Sequence, residues 1–169
     1  MGNYGFSMAI TSNGGTGARP HADGLSATAY PSGVKGTPVE IAEAITPLIF
    51  WRKEFRADSG GAGRTRGGLG QAIEIESGVG EPFELLAAFD RIDFPPRGRH
   101  GGKSGAPGVV AIKAGRKMRG KGTQVVQRGE RLVVMTPGGG GLGAPEARDP
   151  ALVERDEREE RMVRQPRRS

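Results

Sequence analysis

The 169-residue sequence predicts a mainly β chain with extensive glycine-rich loops and one C-terminal helix. Three observations carry this. Short apolar runs of period two or β-branched composition recur between clusters of glycine, proline and charge. The thirty glycines gather in blocks instead of filling a uniform tract. The clearest helix start, an Asp149-Pro150 pair suited to the N-cap and first helical position, stands close to the end of the chain. The length suits one compact core.

Taken in order, residues 1–35 are polar and glycine-rich with neither a period of 2 nor of 3.6, so they predict irregular structure with short extended pieces that need something to pack against. PVEIAEA (38–44) fits either alternation at Val39 and Ile41 or a turn and a half of helix. The extended reading is preferred, with Pro47 halting either. LIFWRKEFR (48–56) suits a strand partly covered on both faces. It runs into RADSGGAGRTRGGLG (56–70), where six glycines and three arginines occupy fifteen positions. QAIEIE (71–76) follows as a half-buried strand, Ile73 and Ile75 on one face, Glu74 and Glu76 on the other, which makes the preceding block a hairpin-like connection. Further strands are predicted at 83–89, 108–112, 123–127 and 131–135. ALVERDEREERMV after Pro150 has so thin an apolar face that its helix is expected to be mostly solvated or to fray. Residues 1–148 thus form the β-rich portion, and 149–169 a charged helix and tail.

No run approaches the roughly 20 apolar residues that span a bilayer, and the N-terminus lacks a basic region followed by a long apolar one. A soluble, unexported, cytoplasmic protein without membrane contact is expected. The chain has no cysteine, which excludes disulfides, thiolate metal sites and a cysteine nucleophile. The net charge of +6 is uneven: from Arg97 to Arg131 ten Lys or Arg face a single acid, Glu130, a formal +9. Such a stretch attracts an anionic ligand, an acidic protein surface or nucleic acid.

The glycine blocks can be tested against known phosphate cradles. A P-loop needs a Lys-Ser/Thr pair after its last glycine, and neither SGGAGRTRGGLG nor TPGGGGLGAP supplies one. A dinucleotide fingerprint needs a helix after the glycines, whereas a strand follows the first block and a proline the second. RTRGG and RGRHGG look like arginine-glycine segments, but each occurs once, between apolar strands and without a pattern of stacking rings, so no nucleic-acid partner is expected. What remains is geometry: Gly60, Gly61, Gly63, Gly67, Gly68 and Gly138, Gly139, Gly140, Gly141 shape the loops, through positive φ or close backbone approach. Asp58 and Ser59 suit a turn closing the first loop. Arg64 and Arg66, two apart, would point the same way in an extended segment and pair with an anion or with a structural carboxylate. These four are the candidate substrate or interface residues. No catalytic residue stands out, because a triad is recognised in space and not by spacing. His21 and His100 are isolated in sequence, so no metal site is expected.

Five segments in this order, GGTGARPHADGLSATAYPSGV, TPVEIAEAITPL, RADSGGAGRTRGGLGQ, DRIDFPPRGRHGGKSGAPG and TPGGGGLGAPEARDP, resemble the C-terminal region of the hydantoinase B/oxoprolinase family over about residues 13–155. The resemblance implies the C-terminal part of a larger α+β subunit. It implies ATP-dependent opening of a cyclic amide such as 5-oxoproline or an N-substituted hydantoin, with a hydantoinase A-type ATP-binding subunit in a hetero-oligomer. This segment itself would bind no cofactor: ATP, and a divalent metal where members use one, would be held elsewhere in the assembly, and the isolated chain would be inactive. A ketone carboxylase subunit, or a non-catalytic assembly module docking an acidic surface through residues 97–131, are the alternatives. Two departures stand out. Leu142 and Ala144 replace the tyrosine and acid of the family's usual Tyr-Gly-Asp-Pro after TPGGGG, and the tail runs DEREERMVRQPRRS where relatives carry valine and glycine.

Overall fold

The structure, a computed structural model, describes residues 5–162. Helix α1 (Val39–Ile45) leads into strands β1 (Leu48–Phe55), β2 (Gln71–Ser77), β3 (Phe83–Ala88), β4 (Val109–Ile112), β5 (Lys121–Val126) and β6 (Leu132–Met135), then a 3-10 turn (Pro145–Ala147) and helix α2 (Pro150–Arg158). One four-stranded antiparallel sheet has the order β1-β2-β6-β4, and β3 and β5 pair in a second. The mainly β class and the six strands match the sequence prediction.

The extended reading of residues 39–45 is corrected: they form α1. The carbonyl of Pro38 accepts the first helical bond from the N–H of Ala42 at 3.1 Å, and the Thr46 hydroxyl closes the end by donating to the Ala42 carbonyl at 2.7 Å. Two apolar residues two apart cannot separate the periods in so short a run. What decides it is tertiary: Ala42 is buried, and the Glu43 carboxylate accepts from the N–H of Phe50, tying the helix to β1.

Rows of side chains cross the sheet and form the core. Ile73 stands opposite Val134 and Val134 opposite Val110, while Ile75, Leu132 and Ile112 make the next row. Val126 of β5, fully buried, joins them with Phe83 and Leu85 of β3, so the two sheets share one apolar core. Burying each of these side chains contributes on the order of 1.5–3 kcal/mol.

The other face of β2 is covered too, unlike the half-buried strand expected. Glu74 is buried beneath Lys113 (2.8 Å) and Arg131 (3.3 Å), and Arg131 also reaches Glu76 and lies 4.3 Å from the Trp51 ring centre. Lys113 and Arg131, with Arg116 on Glu130 and Lys121 on Asp90, show that part of the basic stretch is neutralised within the chain.

The register has a consequence for the site. Phe55 faces Gln71, Ala72 faces Met135 and Met135 faces Val109, so β1 and β6 end where β2 and β4 begin. All four strands therefore run into glycine-rich segments at the same end of the sheet.

Candidate functional site

Those segments, residues 56–70, 96–108 and 136–143, are joined by residues 13–28 in a layer held by main-chain hydrogen bonds outside any strand ladder. Gly68 N–H donates to Thr16, Gly139 N–H to Gly68 and Gly61 N–H to Gly139, at 2.9, 2.9 and 2.8 Å, and Lys103 N–H donates to Ala62 at 2.7 Å. The backbones lie too close for side chains: a Cβ on Gly139 would sit 1.7 Å from the Thr16 carbonyl oxygen. All nine loop-shaping glycines have a backbone atom within 2.6 Å of where a Cβ would stand, and none has positive φ. Close approach alone is their role, as on the crowded axis of collagen. Hydroxyls complete the bonding. Ser59 accepts from Gly70 N–H at 2.9 Å and donates to the Arg56 carbonyl, and Thr136 accepts from Gln71 N–H at 2.7 Å and donates to the Asn13 carbonyl.

The four sequence-predicted site residues are separated by this arrangement. Ser59 is buried as one of the staples just described. Asp58 sits at the turn with φ 56° and is exposed, its N–H donating to the Arg161 carbonyl. Arg64 is exposed and donates to the Pro20 carbonyl at 3.2 Å, while Arg66 turns inward. The two arginines thus do not face one anion, because residues 56–70 do not alternate as a strand would.

Arg66 enters a buried charge cluster. Its guanidinium donates to both oxygens of Asp156 at 3.1 and 3.3 Å, and its main-chain N–H donates to Asp23 at 2.7 Å. Arg148 forks onto Asp23 with two bonds of 2.8 Å and reaches Asp156 at 2.6 Å, and Arg155 approaches Asp23 at 3.3 Å. Burial pushes the Asp23 carboxyl up. The Arg148 hydrogen bonds, the Arg66 N–H and both guanidinium charges outweigh it and hold the carboxyl below its usual range. The helix expected to be mostly solvated or to fray does form, and only Asp156 in it is buried: α2 begins with Asp149 capping Ala151 N–H and is anchored by that one side chain, by charge instead of an apolar face. It ends at Arg158, and the tail from 163 lies outside the described residues.

Beside the layer opens a cleft of about 930 Å³, floored by Gly14, Gly15, Gly139 and Gly140 and edged by Tyr30, Arg91, Phe94, Arg97 and Arg99. Among the described residues these three arginines have no ion-pair partner, and no carboxylate or histidine lines the cleft. Its charged side chains are thus all cationic, and Tyr30 adds a phenol. In sequence, Arg97 and Arg99 belong to the basic stretch 97–131 considered for docking an acidic surface, and nothing there pointed to a cleft shared with Tyr30 and Arg91. Among the described residues no three His, Cys, Asp or Glu gather to hold a metal, and no helix is long and apolar enough to cross a membrane. The departures at Leu142 and Ala144 fall where the main chain does the work: Leu142 exchanges backbone bonds with Thr65 at 3.0 and 3.1 Å, and Ala144 precedes the 3-10 turn.

Residues 2–145 match the model of a family described as hydantoinase B/oxoprolinase. A relative, 5-oxoprolinase 1 of Arabidopsis thaliana, is 35% identical over 149 residues, 85% of this chain and 12% of the relative. The caprolactamase subunit beta of Pseudomonas jessenii is 31% identical over 131 residues, 71% of this chain and 22% of that one. The crystal structure of the ATP-dependent caprolactamase from the same organism superposes with a TM-score of 0.73 at 25% identity, covering 89% of this chain and 28% of that one. The chain thus spans about an eighth of the first of these relatives and about a fifth of the second.

Proposed function

This chain belongs to the hydantoinase B/oxoprolinase family, and from that premise we propose that it forms the C-terminal β-rich part of a subunit that opens cyclic amides at the expense of ATP. One observation supports the reading most. The blocks around residues 13–28, 56–70, 96–108 and 136–143, far apart in sequence, interlock as one layer in which most of the glycines have no room for a side chain. The relatives' names point to lactam substrates: 5-oxoproline for one, caprolactam for the other.

An amide in a ring is a poor electrophile, and transfer of the γ-phosphoryl group of ATP to its oxygen, with release of ADP, activates the ring carbon for addition of water. Collapse of the adduct breaks the C–N bond, the nitrogen leaving as the protonated amine, and a second water hydrolyses the resulting acyl phosphate to carboxylate and phosphate. In this proposal ATP is held by a hydantoinase A-type partner in a hetero-oligomer, and the subunit name of the caprolactamase relative supports such an assembly. This chain supplies the rigid glycine layer and the cationic cleft beside it. Preorganised positive charge of this kind stabilises developing negative charge without reorganisation. Carboxylate and imidazole groups for proton transfer come, in this reading, from the polypeptide that completes the subunit, since none lines the cleft.

The test is a turnover panel. The chain, assembled within its complete subunit and with the ATP-binding partner, is offered 5-oxoproline, an N-substituted hydantoin, caprolactam, and acetone with bicarbonate. ADP release coupled to opening of a ring is expected. Turnover of the ketone alone would replace this reading with the carboxylase one.

A further inference from the structure

We propose that the cleft edged by Arg91, Arg97 and Arg99 is a binding site for a small organic anion, one bearing a carboxylate or phosphate on a compact apolar body. The proposal rests on the reading above only for the choice of probes. In the basic stretch, Lys113, Arg116, Lys121 and Arg131 are each satisfied by a carboxylate of this chain. Arg97 and Arg99, from the same stretch, and nearby Arg91 are exposed; among the described residues none of the three makes a close ion pair or a side-chain hydrogen bond, and the Asp90 carboxylate reaches Arg91 only through its charge. Three arginines line one cavity, where their charges repel one another unless an anion joins them, and a fork of N–H donors fits a planar carboxylate or a phosphate face.

Shape supports the same ligand. A cleft of about 930 Å³ lies within the roughly 300–1,000 Å³ typical of small-molecule sites. Its floor is glycine backbone, which cannot move aside for a ligand because it is packed against further backbone: the Cβ position of Gly140 lies 2.2 Å from the Arg97 carbonyl oxygen. That contact also holds the chain that carries Arg97. Tyr30 and Phe94, 79% and 78% exposed, stand at the rim as apolar surfaces of the kind that covers a ligand's body.

The experiment is calorimetric titration of the full chain, without ATP, using three probes: 5-oxoproline, inorganic phosphate, and 2-pyrrolidinone, the same ring without the carboxylate. At least one anion is expected to bind wild type, more tightly than 2-pyrrolidinone and less tightly as salt is raised. Arg97→Gln/Arg99→Gln is expected to weaken it at least about tenfold, in line with the loss of charge-assisted hydrogen bonds. Lys117→Gln/Arg128→Gln removes the same charge outside the cleft and is expected to leave binding unchanged. Preference for 5-oxoproline assigns the site to a substrate carboxylate, and preference for phosphate to a phosphoryl group. Failure of both anions to bind, equal binding by the cleft variant, or equal weakening by the control variant would overturn the proposal. Unchanged thermal unfolding of the variants, expected for exposed and unbonded side chains, shows that lost binding is not lost fold. Anion binding with a silent turnover panel would instead sink the cyclic-amide reading and leave this site standing.

Discussion

Arg66 and Asp156, ninety residues apart, meet as a forked ion pair in which neither side chain is more than 3% exposed. The pair joins the block 56–70 to α2, so that helix is fastened to the glycine layer by charge.

Removing one partner leaves buried charge uncompensated. Asp156→Ala is expected to cost about 3–5 kcal/mol, the usual result of breaking a buried pair, as three arginines then share Asp23 alone. Urea unfolding measures the cost, and amide exchange locates it, with loss of protection concentrated in Pro150–Arg158. Protection retained there would show that α2 is held by something else.

Arg64 provides the comparison. Exposed, and with its side chain bonded only to the Pro20 carbonyl among the described residues, it can be truncated with little effect: Arg64→Ala should shift stability by no more than about 0.5 kcal/mol, while Arg66→Ala behaves like Asp156→Ala. Equal effects in parallel melts would contradict the separation of the two arginines.

Two glycines of the layer should respond in opposite ways to the same added methyl. A Cβ on Gly139 would stand 1.7 Å from the Thr16 oxygen, while one on Gly17 would meet nothing within 4 Å at a φ that is not positive. Gly139→Ala should prevent folding of the layer or cost more than about 4 kcal/mol, beyond ordinary overpacking. Gly17→Ala should be neutral or stabilise by about 0.4–1 kcal/mol by restricting the unfolded chain. Thermal midpoints decide between them.

Acid should loosen the charge cluster. The Asp23 carboxyl is held below its ordinary value of 3.8, so the stabilisation it brings is complete above that pH and is lost as pH falls through the lower folded-state value. The slope of stability against pH below about 4 should therefore be steeper in wild type than in Asp23→Asn. Identical slopes in urea titrations would show that the carboxylate contributes nothing in this window.

Much of the sheet was legible because alternation reports one buried face: Ile73 and Ile75 disclosed β2, and the β-branched runs disclosed β4 and β6. The cover over Glu74 was not, since it depends on Lys113 and Arg131 arriving from distant strands. Seven residues of α1 carry too little period to separate helix from strand. The density of glycine was plain, yet contacts between bare backbones leave no pattern by which one segment names its partner. Asp156 was unreadable for a related reason: a carboxylate among charges looks solvated until the fold brings Arg66 and Arg148 to it. The cleft likewise joins Tyr30 to Arg97 across segments that only the folded chain sets side by side.

The glycine floor has one further implication, for how such proteins diverge. Positions such as Gly68 and Gly139 cannot accept any replacement without pushing a neighbouring main chain away. A lineage that changes what the cleft holds must therefore do so through the few residues standing clear of that floor, Tyr30, Arg91, Phe94, Arg97 and Arg99 among them. Specificity is confined to the rim, and the ground beneath it is fixed.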